Sequence, residues 1–348
     1  MTATLWPDVI GRLVRREELP DDLVEQTMSV ILSGEATDAQ IAGFAVSLRA
    51  KGETPGELAA LVRTMLRFAE RVELEGDGPL LDTCGTGGDR AGTVNVSTMA
   101  ALVAAAAGAR VAKHGNRAAS SQCGSADVLE ALGVVIDLGP EGVKRSVREV
   151  GMGFCFAQRF HSAMRFAAPV RRELGTPTTF NVLGPLANPA GATRRTIGVA
   201  DPAMAERVVM TLADLGVERA MVFFGHDGLD ELTTTTISTI HELHNGDIRV
   251  YDIDPTDFGI PLAAHGALAG GDAAGNAEAV HKTLAGASGP IRDIVALNAA
   301  AALLVADLVP DFGHGVERAR ALLDDGAAAA TLESLVRVTV AARESGDG

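Results

Sequence analysis

Cysteine is scarce in this sequence of 348 residues, and its few copies form no recognisable site. Only Cys84, Cys123 and Cys155 occur. Their spacing is not that of a metal site, and they are not an even set that could build a disulfide framework. A reducing compartment fits this composition best, so we expect a cytoplasmic protein.

Long apolar runs and a targeting segment are also missing. The charged residues Asp8, Arg12, Arg15 and Arg16 lie where a signal peptide would need an apolar stretch. The longest apolar runs, around Ala104 and Ala301, are too short and too rich in alanine to span a bilayer. We therefore expect no membrane partner.

Positive charge is the third deficit. The chain has 30 Lys+Arg against 45 Asp+Glu, a formal net charge of -15, which opposes nonspecific binding to nucleic acid. An anionic ligand must therefore meet local positive charge or a metal ion. Hydrophobic residues make up 47% of the chain and charged residues 22%, a balance typical of a packed globular protein.

The first part of the chain, from Trp6 to about Glu70, has the pattern of a small helical bundle. Apolar residues recur at helical spacing over positions 23–32, and the run stops at Gly34. Two capping boxes mark further helix starts. One pairs Thr37 with Gln40, and the other pairs Thr54 with Glu57 and has Pro55 at the first helical position.

After Gly78, short apolar runs alternate with helical stretches, which is typical of a parallel sheet with crossover helices. We expect strands at 80–83, 109–112, 134–136, 195–199, 220–224 and 241–243. We expect helices at 98–107, 126–132 and 202–215. The predicted fold class is α/β: a small N-terminal helical domain plus a larger α/β domain with a mostly parallel central sheet flanked by helices.

A glycine-rich segment, Asp-Thr-Cys-Gly-Thr-Gly-Gly-Asp at 82–89, follows the first predicted strand and precedes a helix. Its glycines can turn backbone N–H groups toward an anion without interference from a Cβ. The segment is neither a Walker loop nor a dinucleotide fingerprint. Taken alone it would be interpreted as a tight turn.

A second segment, Lys-His-Gly-Asn-Arg-Ala-Ala-Ser-Ser at 113–121, follows the next predicted strand. It should emerge on the same edge of the sheet, where open parallel sheets bind ligands. Its cations, amide and hydroxyls suit phosphoryl oxygens. Between the two loops, Asn95, Ser97 and Thr98 stand at a helix start, and we expect one of them to serve only as the N-cap.

A third loop, at 225–231, places Asp230 and Glu231 after another apolar strand. Magnesium usually takes one or two carboxylates together with phosphate oxygens and water. Adjacent acids are common on surfaces, so the prediction of a magnesium site rests on the combination of three chemically matched loops.

Seven segments together extend the pattern: Gly-Thr-Gly-Gly-Asp at 85–89, Asn-Val-Ser-Thr at 95–98, Lys-His-Gly-Asn-Arg at 113–117, Gly-Ser-Ala-Asp at 124–127, Arg-Arg-Glu-Leu-Gly at 171–175, Phe-Asn-Val-Leu-Gly-Pro-Leu-Ala-Asn-Pro at 180–189 and Gly-Leu-Asp-Glu at 228–231. They closely resemble motifs of the anthranilate phosphoribosyltransferase family of tryptophan biosynthesis. The match keeps the same order over nearly the whole chain.

The resemblance implies a helical domain at 1–75, with a helical contribution from about 165–190, and an α/β domain at 76–348 that binds phosphoribosyl diphosphate. It implies a homodimer formed through the helical domains. It also implies that the 5-phosphoribosyl group passes to the amine of anthranilate, with Mg2+ bound and pyrophosphate released.

Site residues follow from the resemblance position by position. Phosphoribosyl diphosphate would be held by Gly85, Gly88, Asp89, Thr93, Asn95, Val96, Ser97, Thr98, Lys113, His114, Gly115, Asn116, Arg117, Ala118, Ala119, Ser120, Ser121 and Ser125. Magnesium would be held by Ser97, Asp230 and Glu231. Anthranilate would contact Gly85, Asn116 and Arg171. The chain departs from the family pattern at Ser162, where proline is common, and at Gln122 with Cys123.

No Ser-His-Asp or Cys-His pairing is suggested, so we expect direct displacement without a covalent enzyme intermediate. Arg171 suits the carboxylate of anthranilate, although the sequence leaves the reverse assignment to Arg172 open. His114 could accept the amine proton or merely fill space, and both interpretations stay open.

Two other functions remain compatible with the sequence. A pyrimidine nucleoside phosphorylase would share the architecture but would use free phosphate and need no adjacent Asp-Glu pair, so Glu231 discriminates. A catalytically silent paralogue that binds nucleic acid is disfavoured by the acidic composition.

Overall fold

The structure is a computed structural model that describes residues 4–74, 76, 78–118, 122–264 and 266–347. Its first helices are α1 (Leu5–Val14), α2 (Asp21–Leu32), α3 (Asp38–Lys51) and α4 (Pro55–Arg67). Both predicted capping boxes are confirmed. The Thr37 and Thr54 side chains accept from the backbone N–H groups of Gln40 and Glu57, whose side chains accept in return.

The described residues also form a seven-stranded sheet in the order β3-β2-β1-β4-β5-β6-β7. The strands are β1 (Leu81–Gly85), β2 (Val111–Gly115), β3 (Met152–Phe156), β4 (Arg194–Gly198), β5 (Arg219–Gly225), β6 (Ser238–His244) and β7 (Asp247–Ile253). The first five in the sheet order are parallel, and β6 and β7 are antiparallel. The predicted α/β fold class is therefore confirmed.

Helices connect and flank the strands. They are α5 (Val96–Ala106), α6 (Ser125–Ala131), α7 (Pro140–Val150), α8 (Ala157–Phe160), α9 (Ala168–Leu174), α10 (Phe180–Leu186), α11 (Pro202–Asp214), α12 (Ala273–Leu284), α13 (Pro290–Val305), α14 (Phe312–Asp324) and α15 (Ala327–Glu344). Short 3₁₀ helices occupy Ser162–Phe166 and Pro255–Phe258. The helices expected at 98–107, 126–132 and 202–215 are confirmed as α5, α6 and α11.

The two alanine-rich apolar runs are buried helices of the core. Ala104 lies in α5 and Ala301 in α13, both side chains are fully buried, and the two helices pack against each other. Small side chains allow this close approach of two helices beside the sheet. Across the described ranges, no helix is both long and apolar enough to cross a membrane.

Helices from the middle of the chain pack with the N-terminal helices. Val170 of α9 and Leu183 of α10 belong to the same buried cluster as Val24, Phe44 and Leu61. Burial of their apolar faces against one another joins segments distant in sequence. The predicted domain boundaries stay predictions.

The strand expected at 134–136 is wrong. Val134, Val135 and Ile136 are buried, but they connect α6 to α7 outside the sheet. The backbone N–H of Val135 donates to the Thr339 hydroxyl of α15 at 3.2 Å, so this apolar run is buried against a helix. The other five expected strands are confirmed as β1, β2, β4, β5 and β6.

Two strands were not predicted. β3 takes the sheet position beside β2, with Met152 opposite Val111, and its apolar run directly after the left-handed helix cap at Gly151 was the signal for it. β7 is the edge strand, and most of its residues are exposed; the alternation of Ile248 and Val250 with Asp247 and Arg249 was the signal for it.

Candidate functional site

The three predicted loops meet at the carboxyl ends of the parallel strands. The backbone N–H of Gly87, after β1, donates to Asp230 Oδ2 at 2.7 Å. Lys113, near the end of β2, donates from Nζ to the Ser97 hydroxyl at 3.2 Å and to the carbonyl oxygen of Thr83. The glycine-rich, basic and acidic loops therefore form one cluster.

The acidic loop approaches the strand ends so closely that position 198 has no room for a side chain. A Cβ at Gly198, the last residue of β4, would overlap the backbone of Asp230, and a Cβ at Gly85 would overlap the Asp230 carboxylate. Backbone atoms cannot give way as a flexible side chain can. Gly198 was not identified from the sequence, because only the folded structure shows what it contacts.

The glycine-rich loop has the backbone geometry expected of an anion-binding turn. Gly87 and Gly88 have φ values of 66° and 90°, which favour glycine. Asp89 Oδ1 accepts from the Ala91 N–H at 3.3 Å, whereas its Oδ2 is buried without a hydrogen-bond partner among the described residues. Further along, Thr93 forms an isolated bridge with Ala269.

The start of α5 has no side-chain N-cap, so the expectation that Asn95, Ser97 or Thr98 serves as one is wrong. Asn95 occupies the cap position but donates from Nδ2 to the Cys123 carbonyl oxygen at 3.3 Å. The Thr98 hydroxyl is buried and finds no partner in the described part of the chain. Val96, the first helical residue, is buried.

Glu231 lies at this helix start instead. Burial raises the pKa of its carboxyl most strongly, and the backbone N–H of Ser97 opposes that shift. A carboxylate is favourable at a helix N-terminus because of the free N–H groups and the helix dipole. The Glu231 carboxylate, from a loop distant in sequence, thus lies at the start of α5, where a local N-cap was expected.

Lys113 and His114 are both buried at the end of β2. Burial lowers the pKa of Lys113, although Asp82, Cys84 and Glu231 oppose that shift. Burial, and then the Arg195 charge, lower the pKa of His114 to about 4, so the ring is neutral near pH 7.

The tautomer of His114 follows from its partner. Nδ1 lies 3.0 Å from the Gly184 carbonyl oxygen, which can only accept, so Nδ1 carries the proton. Nε2 then has a free lone pair, and it is buried without a partner among the described residues. His114 can therefore accept a hydrogen bond but cannot donate one from Nε2.

The rest of the basic loop folds back on α6. Arg117 pairs with Asp127 at 3.0 Å and with Glu130 at 2.8 Å, and the Ala118 N–H donates to Asp127 at 2.9 Å. The Ser125 hydroxyl donates to the Asn116 carbonyl oxygen at 3.4 Å. A Cβ at Gly115 would overlap that hydroxyl. Ala119, Ser120 and Ser121 lie outside the described residues.

Arg171 lies on α9, half-buried, and burial lowers its pKa. Its guanidinium makes no hydrogen bond or ion pair with the residues that the structure describes. Arg172 is exposed to solvent. Of the two neighbours, Arg171 is therefore the one with partly desolvated and uncommitted donors.

Asp82 and Asn188 were not predicted from the sequence. Asp82 accepts from the His114 N–H at 3.0 Å and from Asn188 Nδ2 at 2.8 Å, and Asn188 Nδ2 also donates to the Ala112 carbonyl oxygen at 2.8 Å. Both side chains are fully buried, so they hold the end of β2 in place. The signal for Asp82 was a charged residue within a strand predicted to be buried.

Comparison with known proteins assigns the chain to a family. Residues 7–69 match the profile described as "Glycosyl transferase family, helical bundle domain", and residues 77–329 match "Glycosyl transferase family, a/b domain". Anthranilate phosphoribosyltransferase from Nocardioides sp. is 56% identical over 96% of this chain and 98% of its own. The chain belongs to the anthranilate phosphoribosyltransferase family.

Solved structures of the anthranilate phosphoribosyltransferase family have the same fold. The enzyme from Thermus thermophilus superposes with a TM-score of 0.90 at 42% identity, covering 95% of this chain and 99% of that one. The enzyme from Saccharomyces cerevisiae in complex with PRPP and Mg has a TM-score of 0.88 at 25% identity, covering 98% and 99%. The helical and α/β parts recognised in the sequence are thus a property of the family.

The carboxylates of the acidic loop have the electrostatics of a cation site. Burial, and then the charge of Asp89, raise the pKa of Asp230 to about 6. Burial and the charge of Asp230 raise the pKa of Glu231, although Lys113 opposes this. The single positive charge of Lys113 is outnumbered by these two carboxyl groups and Asp89, and a divalent cation would supply the missing positive charge. These residues fit Mg2+.

Asp230→Asn is expected to stabilise the metal-free protein at alkaline pH. Because the folded-state pKa of Asp230 is raised, its carboxyl contributes stability that is present below its ordinary pKa and is lost as pH rises through about 6. Removing the charge should raise the free energy of unfolding by on the order of 2 kcal/mol near pH 8, and the gain should shrink as pH falls toward about 4.

Urea unfolding with a chelator present, at several pH values, measures this difference. A variant less stable than wild type at alkaline pH would show that the Asp230 carboxylate is already compensated by the protein.

Proposed function

We propose that this chain transfers the 5-phosphoribosyl group of phosphoribosyl diphosphate to the amine of anthranilate, releasing pyrophosphate, as a step of tryptophan biosynthesis. Family membership over nearly the full length supports the reaction. The observation that carries the proposal is the contact of Asp230 with the glycine-rich loop, beside the contact of Lys113 with Ser97.

The reaction we propose is a direct displacement at the anomeric carbon. The bond from this carbon to the diphosphate oxygen breaks, and its electron pair leaves with pyrophosphate. The amine lone pair forms the new carbon–nitrogen bond, and the nitrogen then loses a proton. Burial raises the pKa of the Cys84 thiol, so no thiolate is ready at the glycine-rich loop for a covalent intermediate.

The diphosphate would lie against the turn that contains Gly85, Gly88 and Asp89, at the N-terminus of α5. Backbone N–H groups at a helix N-terminus favour an anion, and because the fold fixes them they cost no reorganisation during reaction. The ammonium charge of Lys113 would stabilise the negative charge of the leaving group. The remaining assigned contacts are Thr93, Asn95, Val96, Thr98 and the basic loop with Ser125.

Ser97, Asp230 and Glu231 would hold Mg2+, which when bound offsets the negative charge of the diphosphate. Within the described ranges, no group of three or more His, Cys, Asp and Glu side chains could hold a metal ion by itself. Phosphate oxygens and water would therefore complete the coordination, as magnesium sites commonly require.

Anthranilate would be oriented by Gly85, Asn116 and Arg171. Guanidinium matches carboxylate geometry with two parallel hydrogen bonds, and positioning supplies much of the rate when the nucleophile is already neutral. The aromatic amine is neutral because its lone pair is delocalised, so no strong base is needed before attack. The free Nε2 lone pair of His114 could take the amine proton afterwards.

We also propose a cytoplasmic homodimer formed through the helical domains. Val14 of α1 is 70% exposed and Val46 of α3 is 44% exposed. Exposed aliphatic side chains on the helical layer are consistent with burial between subunits. Nucleic acid and membranes are not proposed as partners.

Loss of anthranilate fluorescence on mixing the protein with phosphoribosyl diphosphate and Mg2+ tests the reaction. We expect the loss to require all three components and to release pyrophosphate. Consumption of uridine with inorganic phosphate, and no change in anthranilate, would favour a nucleoside phosphorylase instead.

Asp230→Asn combined with Glu231→Gln should abolish turnover at ordinary Mg2+ concentration while the protein stays folded, because both carboxylate ligands are lost. Initial rates with circular dichroism as the folding control measure this. Glu333→Gln, an exposed acid on α15, is the matched control and should behave as wild type. Near-normal activity of the double variant would refute the metal assignment.

Arg171→Ala should mainly raise the KM for anthranilate. Loss of a charged hydrogen bond costs roughly 1.5–3 kcal/mol, which is about one to two powers of ten in affinity. Steady-state kinetics with varied anthranilate measure the change, and Arg172→Ala is the control. A KM that moves in the Arg172 variant but not in the Arg171 variant would reverse the assignment.

A further inference from the structure

Asn298, on α13, lies directly behind the acidic loop and is only 4% exposed. Its Oδ1 accepts from the Leu232 N–H at 3.0 Å, and its Nδ2 donates to the Leu232 carbonyl oxygen at 2.9 Å. Nδ2 also donates to the Ile294 carbonyl oxygen one helical turn earlier, at 2.9 Å. The side chain therefore joins a core helix to the backbone that follows Glu231.

These hydrogen bonds fix the orientation of the Glu231 backbone. The N–H of Leu232 belongs to the peptide that joins Glu231 to Leu232, and that peptide group is planar. By accepting from this N–H, Asn298 fixes the orientation of that peptide plane. The plane adjoins the Cα of Glu231, so it restricts the direction in which the Glu231 side chain leaves the backbone. Leu232 is fully buried, so water cannot replace Asn298 as the partner.

Contacts within the loop do not provide the same anchor. Asp227 accepts from the Leu229 N–H at 3.3 Å and from the Thr233 hydroxyl at 2.7 Å, and all three residues lie in the connection between β5 and β6. Asp227 thus shapes the loop, whereas Asn298 ties it to a helix whose inward face is buried.

We infer that Asn298 is a positioning residue for Glu231, and hence for the proposed cation site, although it touches none of the proposed ligands. The inference rests on the proposed function. Residues that orient metal ligands from behind commonly change metal affinity strongly when they are replaced.

The amide group is specifically required at this position. Both N–H donors and the oxygen of Asn298 are used. Aspartate would keep one acceptor, but its second oxygen would face two carbonyl oxygens, and it would add a charge behind two carboxylates. Serine or alanine would leave both Leu232 groups without partners.

Asn298→Ser and Asn298→Ala test the inference, with Mn2+ as the probe. Water proton relaxation reports Mn2+ binding in the presence of phosphoribosyl diphosphate, independently of turnover. We expect Mn2+ affinity to fall by roughly 10- to 100-fold in both variants. The Mg2+ concentration for half-maximal activity should rise in parallel, while the KM for anthranilate stays nearly constant.

Thr339→Val is the matched control for loss of a buried hydrogen bond. Thr339 accepts from Val135 at 3.2 Å and lies on α15, away from the loop. The Thr339→Val variant should be less stable than wild type but should keep its Mn2+ affinity. An equal loss of affinity in this control would show general destabilisation and overturn the inference.

Glu231→Gln separates the inference from the proposed function. If Glu231→Gln loses Mn2+ and the Asn298 variants bind it as wild type does, the positioning role is overturned and the metal site stands. If wild type and Glu231→Gln bind Mn2+ equally, the proposed metal site fails and the inference fails with it.

Discussion

The backbone of Asp230 lies so close to the end of β4 that position 198 has no room for a side chain. This contact presses the acidic loop onto the sheet edge and buries the carboxylates of Asp230 and Glu231 beside the glycine-rich turn. Desolvation then raises both pKa values, so the ionised carboxylates are destabilised in the metal-free protein, and a bound cation would offset that cost. The anion-binding turn, Lys113 and Ser97 can act on one ligand because they lie together beside these carboxylates.

Those parts of the fold that are determined locally could be predicted from the sequence. Thr37 and Thr54 start helices through bonds to residues three positions away, and parallel strands bring their carboxyl ends to one edge. The apolar run at 134–136 was misassigned because burial alone does not reveal the partner. Its hydrogen bond goes to Thr339, 204 residues later, and no local pattern predicts that.

The candidate site shows the same division. The residue types of the three loops, and their resemblance to the family, are enough to predict that these loops form one cluster. The hydrogen-bond and ion-pair partners of the individual site residues depend on tertiary contacts. The expected N-cap bond at the start of α5 is not formed, Asp127 and Glu130 hold Arg117, and Asp82 fixes the backbone of His114 from within β1. These roles depend on groups far apart in sequence.

A crystal structure of the chain with phosphoribosyl diphosphate and Mn2+ tests the central claim most directly, because anomalous scattering locates the cation. The account predicts a peak bounded by Ser97, Asp230 and Glu231, with the diphosphate against the turn at Gly87 and Gly88. A cation and diphosphate bound away from these loops, with both carboxylates still buried and unliganded, would contradict it.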